Sequence, residues 1–227
     1  MTESEMFRQS LVMIGAGGHA KVLHALAMAL GHNIVGVCDP QLFQQGQSHW
    51  RGVLVLGGDE ALRQFDPATV GLINGIGQLV GSQARKAIYE SLRQAGFNFA
   101  TLVHPAAWIA SSATLAQGVQ IMAGAVVQPD CCIGENSIIN THASIDHDCV
   151  IGAHVHIAPG ATLCGGIRVL DGAFIAAGAT LIQGVTVGLG AVVGAGSILT
   201  RDLAANQVIL GSRPWVSNTA TKLKSDI

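Results

Sequence analysis

One phase of the sequence repeats every six residues for nearly a hundred positions. Counting in sixes from Ile109 gives Ile109, Leu115, Ile121, Val127, Ile133, Ile139, Ile145, Ile151, Ile157, Leu163, Val169, Ile175, Leu181, Val187, Val193 and Leu199, all aliphatic. Ile, Leu and Val fill 29 of the 96 positions from 109 to 204, so sixteen hits in one phase would arise by chance on the order of 10⁻⁸ of the time. Four residues after most of these aliphatics stands a small side chain, such as Ala125, Cys131, Ser137 or Ala179. The position before it is Gly, Asn, Asp, His or Ser, as in Gly118, Asn136 and Gly160. These residue types tolerate positive φ or supply turn hydrogen bonds, so each hexad reads as a short strand plus a corner.

Only eight charged residues lie between 109 and 204, which leaves the surface of this repeat too apolar to stand alone in water. The whole chain has 29 Gly among 227 residues, well above the usual ~7%. A hydrophobic fraction of 49% excludes intrinsic disorder, and a net charge of −2 argues against binding a nucleic-acid backbone. No membrane span is expected, because the apolar run from Val22 to Leu30 stops at Gly31 and His32, short of the ~20 residues needed. Glu3 and Glu5 in the opening segment do not resemble a signal peptide. Five Cys, an odd number, fit a reducing cytoplasm better than a disulfide framework.

The first hundred residues carry a different pattern. Leu11 to Ile14 reads as a short strand, Gly15 to His19 as a Gly-rich turn, Ala20 to Leu30 as a helix and Asn33 to Cys38 as a second strand. This order sets backbone N–H groups at a helix N-terminus, where phosphate is favoured, with Asp39 placed for a ribose hydroxyl. Further elements are expected at 53–56, 59–65 and 70–75, with a helix over 79–96 and a strand over 97–103. His104-Pro105 marks the expected boundary between an α/β Rossmann-like domain (1–105) and the all-β solenoid of hexads (106–227). Gly15, Gly17 and Ala20 also satisfy the G-x-G-x-x-A spacing of nicotinamide enzymes, although a dehydrogenase would usually need a second half of its sheet.

The hexads resemble those of the hexapeptide-repeat acyltransferases, which build a left-handed β-helix with three hexads per coil. Together with the Gly-Gly-His turn, the chain resembles the nucleotide-amino-sugar N-acetyltransferases and sialic acid O-acetyltransferases along nearly its whole length. That resemblance implies acetyl transfer from acetyl-CoA to the amine of a nucleotide-linked 4-amino sugar, in surface glycan assembly. It implies a homotrimer with active sites between prisms, and no metal. His147 corresponds to the family's general base, followed by an acidic residue, here Asp148, which would orient the imidazole. Gly165, 18 residues on and so one coil away, would offer its N–H to the thioester oxygen. His156, Ala177 and Ala195 are the implied coenzyme contacts; Gly15, Gly17, Gly18, His19, Asp39 and Gly77 are the implied acceptor contacts. The family's closing Gly-x-Pro-Ala motif is replaced by Gly211-Ser-Arg-Pro-Trp215.

Several of these residues also fit purely structural roles, His19 among them as a helix-start residue with no ligand. Asp148 could simply fill a corner, His156 be a surface side chain, and His142 and His154 serve as corner residues. The rival chemistry is zinc: His142 and His147 have the five-residue spacing found in gamma-class carbonic anhydrases, which share the hexapeptide helix. No His occurs from 109 to 141 to supply a third ligand. A non-catalytic prism would leave the Gly-rich turn and Asp39 without a purpose.

Overall fold

The computed structural model describes residues 10–211. Fourteen successive hexad corners, from Gly118 to Gly196, all have positive φ. Nine of them are Gly, and Asp130, Asn136, His142, Asp148 and His154 occupy the other five. A non-glycine residue in this region costs ~1–2 kcal/mol, least for short polar side chains. Each left-handed corner turns the chain into the next two-residue strand, and residues 18 apart become neighbours, as in Ile138↔His156 and Ile139↔Ile157. The result is three parallel sheets of seven, six and five strands forming a triangular prism of the left-handed β-helix type. The aliphatic phase points inward: Ile121 through Leu199 are buried, stacked with Ala125, Cys131, Ala143, Cys149 and Ala161 in one core.

The N-terminal unit is a six-stranded sheet built from β1 (Ser10–Ile14), β2 (Ile34–Cys38), β3 (His49–Trp50), β4 (Val53–Gly57), β5 (Val70–Asn74) and β6 (Asn98–Phe99), in the order β3-β4-β2-β1-β5-β6. All pairings are parallel except β3 with β4. Helix α1 (Gly18–Ala29) follows β1, and the short α2 (Pro40–Gln44) follows β2. A 3₁₀ helix spans Asp59–Gln64, and α3 (Ala84–Gln94) precedes β6. Among the described residues no helix is long and apolar enough to cross a membrane.

Two expected elements differ. The helix expected over 79–96 begins only at Ala84, because a turn closes from Ser82 N–H to the Leu79 carbonyl and Gly81 sits at φ +77°. The single strand expected over 97–103 is two: Asn98–Phe99 joins β5, whereas β7 (Leu102–Val103) pairs with Gln120–Ile121 in the prism. The first coil therefore starts ahead of His104. Of the outward residues of this seven-stranded sheet, Leu102, Gln120, Ile138 and His156 are buried and Phe174 is half-buried. Leu102 and Ile138 share a core with Leu11, Met13, Leu23 and Ile73, so one prism face is the floor of the α/β unit.

Candidate active site

His147 and Asp148 sit on a prism edge. Asp148 takes the left-handed corner conformation at φ +60° and also brings its Oδ2 to 2.7 Å from His147 Nδ1. The corner and the orienting roles are thus compatible, because the left-handed turn is what swings the carboxylate back toward the preceding imidazole. The His147 ring is largely exposed. Its pKa is raised above the usual histidine value, first by the hydrogen bond it donates to Asp148, then by the nearby charge of Asp146. Since the carboxylate accepts from Nδ1–H, Nε2 keeps its lone pair for an incoming proton.

Gly165 lies one coil away, where a side chain would collide with the imidazole: an added Cβ would stand 2.6 Å from His147 Cε1 and 2.7 Å from Nε2. Its N–H finds no partner among the described residues, while Gly166 N–H donates to the His147 carbonyl at 2.8 Å. An unpaired donor beside an unpaired base suits acyl transfer, in which one takes a proton and the other stabilises negative oxygen. Ala177 and Ala195 are exposed on the neighbouring edge, stacked with Thr141 and Pro159 through bonds such as Gly196 N–H to the Ala177 carbonyl. They share no contact with His147. The outward residues Ser144, Thr162, Thr180 and Ile198 form the face between the two edges.

His156 is buried rather than at the surface, beneath the α/β unit and edge-on to Phe174. Asn140 fixes its tautomer. The Asn140 Oδ1 accepts from Thr141 N–H, so the Asn140 Nδ2 donates to His156 Nε2 at 3.2 Å and the proton sits on Nδ1. That Nδ1 is enclosed without a full hydrogen bond, near the Gln78 backbone. Burial, with Arg85 adding to it, lowers the His156 pKa to about 4.

The Gly-rich turn is open at its tip. Gly15 needs φ +83° to leave β1, while Gly17 and Gly18 have nothing within 4 Å of an added Cβ. Helix α1 has no side-chain cap and no acidic residue in its first turn, so its amino end is free to meet an anion. Gly77 backs onto the His19 side chain, 3.3 Å from Cβ to Cβ if it carried one. Asp39 has a role the sequence reading did not foresee: Oδ2 accepts Ala16 N–H at 2.8 Å and Oδ1 caps α2 by accepting Leu42 N–H at 3.0 Å. It pins the Gly-rich loop to β2, and Asp39-Pro40 was the sequence signal for that cap.

Other residues went unforeseen. Arg85 is fully enclosed and donates only to carbonyls, those of Asn74 at 2.8 Å, Ile76 at 2.7 Å and Asn136 at 3.3 Å. Asn74 Nδ2 reaches Asn136 Oδ1, and Asn136 Nδ2 reaches His154 Nδ1. Tyr89 donates to Glu135 at 2.9 Å. These residues tie β5 and α3 to the prism, which gives the corners Asn136 and His154 their purpose. His142 instead lies over Gly124. Among the described residues no group of three or more His, Cys, Asp and Glu is placed to hold a metal ion. A cavity of about 390 Å³ between α1 and the prism is lined by Lys21, Leu26, His104, Met122 and Thr141, and by none of the expected site residues. The Ser212 to Trp215 segment lies outside the described residues.

Known proteins share both parts of the fold. The PglD N-terminal domain matches residues 10–92, and the bacterial transferase hexapeptide family matches 112–147 and 133–165. The structure of perosamine N-acetyltransferase from Caulobacter crescentus with CoA and GDP-perosamine is 35% identical over 89% of this chain and 94% of that one, with a TM-score of 0.81. The acetyltransferase domain of PglB from Neisseria gonorrhoeae, in complex with acetyl coenzyme A, is 35% identical over 90% and 97%, with a TM-score of 0.82. WeeI from Acinetobacter baumannii shares the fold at 22% identity, covering 89% and 96%, with a TM-score of 0.79. No curated protein sequence matches.

Proposed function

Since the chain belongs to the PglD-like hexapeptide-repeat sugar N-acetyltransferases, which use acetyl-CoA, we propose that it acetylates the amine of a nucleotide-linked amino sugar with His147 as general base. The observation that carries this reading is the His147–Asp148 pair facing Gly165. As the amine nitrogen attacks the thioester carbonyl, His147 Nε2 takes its proton and Asp148 holds the resulting imidazolium. Gly165 N–H meets the developing oxyanion. Collapse breaks the C–S bond, and the coenzyme thiolate receives the proton from His147, leaving amide and free thiol.

The α/β unit would hold the nucleotide through Gly15, Gly17, Gly18, His19 and Gly77, with Asp39 fixing the loop and free to accept a ribose hydroxyl. His156, Ala177 and Ala195 would line the coenzyme's path. His147 stands exposed on a prism edge with no enclosing wall among the described residues, which supports a homotrimer whose neighbour closes the site. Exposed Trp108 and Ile198, on the face between the two edges, support the same reading. The expected division is an acceptor-binding domain over 1–105 and a coenzyme-binding prism over 106–227, in a cytoplasmic enzyme of surface glycan assembly.

Mass spectrometry of a nucleotide-sugar panel, GDP-perosamine included, incubated with acetyl-CoA tests this. One acetyl gained on an amine is the expected result. Transfer only to hydroxyls of free sialic acids would replace it with O-acetylation, and no transfer to any nucleotide amino sugar would overturn the assignment.

A further inference from the structure

We propose that Gln120, a prism residue, is a positioning residue for acceptor recognition: it locks His19 with its proton on Nε2, so that Nδ1 presents a lone pair to the acceptor. This rests on the reading of His19 as an acceptor contact. It deepens that reading by stating which chemical group His19 can take. The group is a hydrogen-bond donor, a hydroxyl or N–H, and not a phosphate oxygen.

The argument is one of donors and acceptors. Gln120 is the outward residue of its strand and is buried under the α/β unit. Its Nε2 lies 2.9 Å from the Asn74 carbonyl, which can only accept. The amide orientation is therefore fixed, and Gln120 Oε1 is the atom 2.8 Å from His19 Nε2. An amide oxygen cannot donate, so the His19 Nε2 must carry the proton. A neutral imidazole has one N–H, which leaves Nδ1 as an acceptor with no partner among the described residues.

The surroundings hold that state. The Asn74 carbonyl is also gripped by Arg85 Nη1 at 2.8 Å, so the anchor for Gln120 is itself fastened to the guanidinium. Arg85 has no carboxylate among its hydrogen-bond partners, and its charge opposes a second charge nearby. Burial first, then Arg85, with His156 adding to both, lowers the His19 pKa to about 4 despite the Gln120 bond. His19 is thus neutral at physiological pH. A neutral acceptor meets a phosphate oxygen lone pair to lone pair, which is repulsive, whereas a sugar or ribose hydroxyl or a base N–H completes the bond. A site built to bond such a group discriminates against analogues lacking it.

Long-range ¹H–¹⁵N spectra of the ¹⁵N-histidine-labelled full-length protein read the tautomer without any substitution. The expected spectrum has His19 protonated at Nε2 and not titrating above about pH 5; protonation at Nδ1, or a doubly protonated ring at pH 7, overturns the inference. With GDP-perosamine as probe, the Nδ1 resonance should move as a nitrogen accepting a hydrogen bond does. Binding that leaves it unmoved also overturns the inference. Gln120→Glu keeps an oxygen for His19 but loses the bond to Asn74 and adds a negative charge, so His19 should titrate near neutrality. The KM for GDP-perosamine should then rise about 10-fold or more below that pKa, while acetyl-CoA affinity stays near wild type. A charged His19 with an unchanged KM refutes the recognition role. If no nucleotide amino sugar is acetylated, the proposed function fails, and the wild-type tautomer still decides the inference about Gln120.

Discussion

Replacing Gly165 with alanine isolates the geometry at the base. An added Cβ would stand 2.6 Å from His147 Cε1, 2.7 Å from Nε2 and 3.2 Å from Nδ1, whereas non-bonded heavy atoms settle at ~3.5–4.0 Å. The ring must retreat by about 1 Å. It cannot slide freely, because Nδ1 is tethered to Asp148 at 2.7 Å; the retreat therefore swings Nε2 away from the reacting amine. A misplacement of ~1 Å is enough to cost ~10²-fold, or about 2.7 kcal/mol of barrier. The alanine keeps the Gly165 N–H, so the loss falls on the base and not on the oxyanion donor. Gly165 has no positive φ and the His147 ring is exposed, so stability should change by less than ~0.5 kcal/mol. Steady-state release of CoA thiol, read beside a thermal melt, gives both numbers. His147→Ala/Gly165→Ala should be no slower than His147→Ala alone, since the glycine acts through the histidine. A Gly165→Ala enzyme with wild-type kcat, or a double variant much slower than His147→Ala, would refute the reasoning.

Three further outcomes are expected. Asp148→Asn removes the leading cause of the raised His147 pKa, so the acid limb of the kcat/KM profile should move to lower pH while its plateau falls; a limb that stays in place excludes the pair as its origin. His19 and His156, with pKa values lowered to about 4, take up protons on unfolding between pH 6.5 and 4, so stability should fall as pH drops through that window. Each contributes up to ~3 kcal/mol, and urea midpoints for His156→Gln that follow the wild-type slope would contradict this. Finally, sedimentation should give a trimer, and mixing His147→Ala with Ala195→Trp subunits should restore activity in mixed assemblies; a fully active monomer would rule out a shared site.

The prism was legible because its cause is local. A left-handed corner accepts Gly, Asn, Asp or His and little else, and an inward position in so narrow a prism accepts an aliphatic, so the repeat writes itself into every sixth residue. The Gly-rich turn before α1 was legible for the same kind of reason. From the 18-residue coil and that turn, His147, Gly165 and the open helix end could be placed by counting. Counting could not distinguish Gln120 and His156 from the other outward strand residues, nor tell that Asn136 and His154 serve as more than corners. Whether an outward side chain meets water or a second domain depends on where the α/β unit docks, and that is set by the apolar contact of Leu102, Met122 and Ile138 with α1 and the central strands. Docking then buries Arg85 without a carboxylate to accept its hydrogen bonds and brings Asn74, Gln120 and His19 into one directed chain of hydrogen bonds. Spacing placed the His147 edge, whereas the tertiary contact decided which histidines stay neutral and which ring nitrogen His19 offers, because both depend on burial under the docked α/β unit and, for His19, on Gln120, 101 residues away in the chain.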